Sequence, residues 1–260
     1  MAAGKGTQPE TVESLSRGLD VLDLFTHQTT ELTVVEVSRH LGVSQSTAYR
    51  LLQTLQRKGF MTQNPDTHRY GLSLRVVGLA SVVLDSMDLR RQALPEMEEL
   101  AKAADAKANL AVREDTELVY VARVESPKVP RMFFHLGKRA PLNATGLGKA
   151  LLFHLDDGEL AELLPRLSME RLTSHTITDR DRLLADLHEC RPRGYALDLG
   201  EYLEEVNCMA VPIFDRSGQV AAAISISGPA VFLTPQRLED LREHLLRAGQ
   251  IISHKLGYWV

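Results

Sequence analysis

Between Ser14 and Leu72 the sequence reads as three short helices followed by a hairpin, an order that leaves few folds open. Helical spacing begins near Ser14, where Leu15, Leu19, Leu22 and Phe25 recur at intervals of three and four and predict one apolar face. Thr33-Val34-Val35-Glu36 is a capping box, in which the Thr hydroxyl accepts from a backbone N–H and the Glu carboxylate reaches back. The helix it opens is expected to run to about His40 and to bury Val34, Val37 and Leu41. Leu41-Gly42-Val43 then predicts a tight turn, because Gly42 takes a positive φ without a Cβ clash. Ser44 caps a further helix, with Ala48, Leu51, Leu52 and Leu55 on its inner side and Gly59 at its end. Phe60–Gln63 and His68–Leu72 predict two short strands around the turn residues Asn64-Pro65-Asp66-Thr67. Together these pieces predict a winged helix-turn-helix.

Such a unit places the N-terminal part of its second helix in the major groove of DNA. The charged residues of that helix are Arg50, Arg57 and Lys58, with no acid among them. Arg50 lies about 200° around the helix from Ala48 and from Leu52, so it faces away from the core. Ser44, Gln45, Ser46, Thr47 and Tyr49 share the exposed first turns, where short polar side chains reach base edges and phosphates. His68 and Arg69 are expected at the wing tip, gripping the flanking backbone of the duplex. A helical hairpin used only for protein contacts is the alternative, and the wing and acid-free helix argue against it.

From Leu74 the pattern turns helical again through Val76, Val77, Ala80, Val83, Leu84 and Met87, which predicts a connecting helix with a further helix over about Leu89–Ala104. Strands are expected at Ala108–Arg113, Glu117–Val124 and Arg131–Phe134, and again at Asn207–Phe214 and Gln219–Ser227 around the turn Asp215-Arg216-Ser217-Gly218. Helices are expected at Thr145–Phe153, after a second capping box at Thr178-Asp179-Arg180-Asp181, and after Thr234-Pro235. The domains predicted are a DNA-binding unit over 1–72, a connecting helix over 73–88 and an α/β (α+β) ligand-binding domain over 89–260.

Composition bounds the chemistry. A chain of 260 residues with 44% hydrophobic and 25% charged residues is ordinary for globular protein and large enough for two domains. The net charge of −4 does not itself favour nucleic acid, so DNA contact must come from a local basic surface. Cys190 and Cys208 are far apart and outside any CxxC, which argues against a disulfide framework or cysteine zinc site and fits a reducing cytoplasm. Met1–Gln8 is small and polar, predicting a disordered tail; neither a signal peptide nor a membrane span is expected. The nine histidines show no HExxH or paired-ligand spacing, so no metal and no cofactor are expected. Gly148-Lys149 does not complete a phosphate loop, since Asn143 stands where Gly is needed and Ala150 where Ser or Thr is needed.

The sequence resembles the IclR family of bacterial regulators from about Glu13 to Gly257. The resemblance rests on Ser44-Gln45-Ser46-Thr47-Ala48-Tyr49-Arg50-Leu51-Leu52, on Asn143-Ala144-Thr145-Gly146-Leu147-Gly148-Lys149-Ala150, and on Ala223-Ile224-Ser225-Ile226-Ser227-Gly228-Pro229, in that order. It implies a GAF-like C-terminal domain with a mainly antiparallel sheet, a small-molecule effector, an operator in double-stranded DNA, and a homodimer or dimer of dimers. It also implies an effector site at Gly146, Leu147, Asp198, Cys208, Ser225 and Ser227.

Residue chemistry fits that site. Gly146 and Leu147 open a helix whose first N–H groups favour an anion. Ser225 and Ser227 are two apart on a strand and point to one side. Asp198 would accept from a ligand hydroxyl or be protonated, which favours a carboxylate carrying a hydroxyl or hydrated carbonyl. Leu147 adds apolar bulk and allows a larger, partly apolar acid. The competing reading is a hydrolase or transferase with Cys208 or Ser225 as nucleophile and His135 or His175 as base, for which no GxSxG elbow is present.

Overall fold

The computed structural model describes residues 12–26, 28–126 and 135–259. The strand expected at Arg131–Phe134 and the tail expected at Met1–Gln8 lie outside them. The chain divides into two units, Met1–Val83 and Leu84–Val260.

The first unit contains α1 (Glu13–Asp23), β1 (Glu31–Leu32), α2 (Val34–Leu41), α3 (Gln45–Arg57), β2 (Met61–Gln63) and β3 (Tyr70–Leu72). The Thr33–Glu36 capping box is formed, and Gly42 closes α2 in the left-handed conformation at φ 63°. Val21, Leu32, Val37, Ala48, Leu52, Met61 and Tyr70 make the core. The face expected for α1 needs correction: Leu15 and Leu19 are exposed, and Val21 is the residue α1 buries. Val21 stands about 200° around the helix from Leu19, so α1 has two apolar faces and turns the other one inward. Phe25 lies beyond the end of α1 and packs against the core from there. β1, not foreseen, pairs Leu32 with Tyr70 and makes the wing three-stranded. Two residues carry too little alternation to be read as a strand.

Helix α4 (Leu74–Ser86) buries none of its residues, and Leu74, Val77, Val82 and Val83 are exposed along it.

The second unit runs α5 (Asp88–Ala104), β4 (Lys107–Glu114), β5 (Glu117–Val124), β6 (Arg139–Pro141), α6 (Gly146–Leu152), α7 (Asp157–Leu163), α8 (Arg180–Arg193), β7 (Ala196–Leu199), β8 (Val206–Phe214), β9 (Val220–Pro229) and α9 (Pro235–Lys255). Its six strands form one antiparallel sheet in the order β6-β5-β4-β9-β8-β7. Strand alternation divides the sheet's residues between two cores. Ala108, Leu110, Met209, Val211, Ile224 and Ile226 pack with Met97 of α5 and Leu241, Leu245 and Ile252 of α9. Ala111, Ala210 and Ala223 face the other way, toward Leu147 and Leu151 of α6 and Leu183 and Leu187 of α8. Among the described residues no helix is long and apolar enough to cross a membrane.

The second capping box is also corrected. Asp179, not Thr178, caps α8, accepting from Arg182 N–H at 2.9 Å. The residue at the reciprocal position is then Arg182, which has no acceptor to offer. The second true box is Asp156 with Glu159 at the start of α7, a helix not foreseen. β6 and β7 were not foreseen either; both are short edge strands.

Candidate functional site

The first candidate surface is the exposed side of α3. Ser44 Oγ accepts from Thr47 N–H at 3.2 Å and lies 2.9 Å from Thr47 Oγ1, which fixes the first turn. Ala48 and Leu52 are buried beneath it, so Gln45, Ser46, Tyr49 and Arg50 stand in solvent and Thr47 is half-buried. Gln53, absent from the expected set, donates from Nε2 to Tyr70 Oη at 3.0 Å and ties α3 to the wing. His68 is exposed at φ 55°. Arg69 differs from the expectation: its Nη2 reaches both carboxylate oxygens of Glu36 at 3.0 Å, so the guanidinium folds back onto α2. The Thr33 backbone and hydroxyl, and then Arg69, hold the Glu36 carboxyl below its usual range.

The second candidate lies on the α6 face of the large sheet. Pairing sets Asp198 opposite Cys208, Cys208 opposite Ser227, and Ser225 opposite Asn109. Residues directly opposed project from one face, so these side chains converge. With Tyr120, Thr145, Leu147, Tyr202 and Val206 they line a narrow cavity of about 30 Å3, room for about one water molecule. Ser225 is fully buried, and Asp198 and Asn109 nearly so.

Local chemistry explains the convergence. Thr145 caps α6 by accepting from Gly148 N–H at 3.0 Å and donates its own proton to Pro141 O at 3.0 Å. Gly146 comes so close to β8 that a Cβ on it would lie 3.1 Å from Cys208 Sγ. A Cβ on Gly148 would lie 2.3 Å from Leu142 O, a backbone atom, so only glycine fits. Asn109 Nδ2 donates to Ser225 Oγ at 3.3 Å and Ser227 Oγ at 3.0 Å, which leaves each hydroxyl hydrogen for another acceptor. Asp198 Oδ1 accepts from Glu201 N–H at 2.7 Å and Tyr202 N–H at 3.3 Å. Burial, and then the nearby Glu201 charge, still push Asp198 up to about 7, so it is half protonated near neutral pH.

Behind α6, Lys149 is buried and bonds Glu201 at 2.7 Å and Asp186 at 3.1 Å. Burial alone would lower its ammonium, but the two carboxylates outweigh that and raise it. Lys149 therefore braces the loop that carries Glu201 and orients Asp198.

All six expected cavity residues come together, since Gly146 packs on Cys208 and the other five line the space. Asn109 was missed, although it is the polar interruption in an apolar strand. The arrangement is poor for nucleophilic catalysis: no histidine lines the cavity, and burial followed by the Asp198 charge pushes the Cys208 thiol up to about 12. Among the described residues no group of three or more His, Cys, Asp and Glu is placed to hold a metal ion.

The pattern described as the IclR helix-turn-helix domain matches residues 14–65, and that of the bacterial transcriptional regulator IclR C-terminal matches residues 81–254. The chain belongs to the IclR family of bacterial transcriptional regulators. Among its IclR relatives, the HTH-type transcriptional regulator XynR of Escherichia coli is 34% identical over 247 residues, covering 95% of this chain and 98% of XynR. A transcriptional regulator from Rhodococcus has a solved structure with a TM-score of 0.83 at 33% identity, covering 95% of this chain and 98% of that one. An IclR homologue from Microbacterium hydrocarbonoxydans, solved in complex with 4-hydroxybenzoate, gives 0.81 at 27% identity, covering 94% and 98%. The chain is thus a transcription regulator with a DNA-binding helix-turn-helix and an effector domain.

Proposed function

We propose that this IclR regulator senses a small hydroxy- or oxo-carboxylic acid in the sheet-face cavity and changes its hold on a promoter operator in response. The cavity carries the reading: a set of neutral polar groups, the buried Asn109 and Ser225 and the half-buried Ser227, beside an acid whose proton is held up to about 7. The carboxylate sits against the two serine hydroxyls and the Gly146–Leu147 turn, and Asp198 accepts from a ligand hydroxyl. Leu147 and Tyr120 supply apolar wall, and 4-hydroxybenzoate, bound by the Microbacterium relative, is an acid of that hydroxylated kind.

Residues 1–72 bind DNA, 73–88 connect and 89–260 hold the effector. Gln45, Ser46, Tyr49 and Arg50 face the major groove, Ser44 and Thr47 fix the first turn against phosphate, and His68 flanks the duplex while Arg69 stays on Glu36. The apolar surface that α4 leaves exposed is covered by a second copy, giving a homodimer whose two reading helices meet successive grooves about 34–36 Å apart. A dimer of dimers follows if the effector domains also pair. The test is a melting-point screen over hydroxy and oxo acids, because a ligand that binds only the folded state raises the midpoint. Hits are then added to an operator gel shift. Acids that neither raise the midpoint nor change operator binding would refute the sensing role, and a monomer mass by light scattering would refute the dimer.

A further inference from the structure

The polar row of the cavity face does not end at Ser227. In the pairing of β9 with β4, Ser227 stands opposite Lys107, and opposed residues share a face. Lys107 is 1% exposed. Among the described residues its ammonium has no hydrogen-bond partner. Glu125, whose charge acts on Lys107, is itself bound to Arg123 at 2.6 Å. Burial, and then the neighbouring Arg123, lower the Lys107 ammonium to about 8, which leaves it mostly charged at neutral pH. A buried cation that makes no hydrogen bond and shares its nearby carboxylate with Arg123 is costly, and an anion brought by a ligand offsets that cost.

This face of the sheet thus has donors of two kinds. Those of Ser225 and Ser227 line the cavity and are neutral, and Lys107, opposite Ser227 but outside the lining, carries a full charge. Taking the acid-sensing reading as given, we propose that Lys107 holds a second anionic group and that the effector is a dicarboxylic acid. One carboxylate lies against the serine hydroxyls on the Cys208 side, and the other meets the Lys107 ammonium. Cys208 and Lys107 are two strand spacings apart, about 10 Å between backbones. The two carboxylates are therefore separated by a short carbon chain rather than adjacent. With the Arg123 guanidinium engaged by Glu125, the charge offered at Lys107 is that of one ammonium, which suits a singly charged carboxylate.

The experiment is calorimetric titration of the full-length protein with linear dicarboxylates from succinate to suberate, each beside the monocarboxylate of equal carbon number. The parent is expected to bind its best diacid at least tenfold tighter than the matched monoacid. Lys107→Met keeps the length of the side chain and removes the charge. It should bring that ratio close to one and leave the monoacid affinity within twofold, while Lys107→Arg keeps most of the preference. A diacid preference that survives in Lys107→Met overturns the proposal. So does a parent that binds monoacids, loses them in Ser225→Ala, and shows no preference for diacids; the sensing role then stands without this subsite. Binding of neither series removes the acid-sensing reading and this proposal together.

Discussion

The two units carry their polar functional residues in opposite ways. On α3, Gln45, Ser46, Tyr49 and Arg50 stand in solvent above a core that does not include them. In the large sheet, Asn109, Asp198, Cys208 and Ser225 are all at most 7% exposed. A surface helix can change its reading residues and leave the fold alone. A cavity inside a sheet cannot, because each polar group there also completes a hydrogen bond or a close packing contact of the fold. Stability measurements across the two units can break this contrast or sharpen it.

The largest effect is expected at Gly148. Alanine there drives a Cβ into the Leu142 backbone, and overpacking of that kind costs roughly 3 kcal/mol. Denaturant unfolding that shifts by less than about 0.5 kcal/mol would show that α6 can move off the sheet freely.

Asp198→Asn comes next, and its sign depends on pH. The folded protein holds the Asp198 proton up to about 7, whereas the unfolded chain releases it near the ordinary value of 3.8. Between those values the folded state binds more protons, so this group's contribution falls as pH rises through the window and is flat above it. The asparagine keeps an oxygen for the Glu201 and Tyr202 amides and has no charge to bury. Its stability relative to the parent should therefore rise from pH 4 to pH 7, by roughly 3 kcal/mol. A difference independent of pH would mean that Asp198 is ionised throughout. Monocarboxylate affinity of the parent should fall across pH 7 as Asp198 becomes an anion, and the asparagine variant should lose that fall.

Ser225→Ala removes one acceptor from Asn109, which keeps Ser227, so about 1 kcal/mol of stability is expected to go. Affinity for a carboxylate effector should weaken by about 1.5–3 kcal/mol. Unchanged effector response would take Ser225 out of the site. Smallest in stability is Arg50→Ala, with an unfolding midpoint like the parent's and an operator dissociation constant about tenfold weaker. If Arg50 reads a base, the loss is confined to one operator position; if it holds phosphate, all sequences weaken alike. A fall in stability there would end the contrast between the units.

What the sequence disclosed follows the same divide. Thr33, Gly42 and Ser44 act through neighbours three or four residues away, so the helix-turn-helix was legible from spacing alone. Ser225 and Ser227 were legible as one face of a strand, and Gly146 as the start of a helix. Their partners were not, because Asn109 is 116 residues from Ser225 and only the strand order joins them. Lys149 read as a failed phosphate loop, and its true partners, Glu201 and Asp186, come from β7–β8 and α8. Arg69 went astray for the same reason, since Glu36 is 33 residues earlier. α1 misled because it has two apolar faces and periodicity does not say which one is turned inward.

β9 carries both cores of its domain on alternate residues, Ile224 and Ile226 to one side and Ser225 and Ser227 to the other. Adding or deleting a single residue within it would exchange the two sets, placing hydroxyls among Met97 and Leu245 and isoleucines in the cavity. Descendants of this gene can therefore tolerate length changes at the Asp215–Gly218 turn but not inside the strand. The side chains that face the cavity can thus be exchanged one at a time only while the length of the strand is kept.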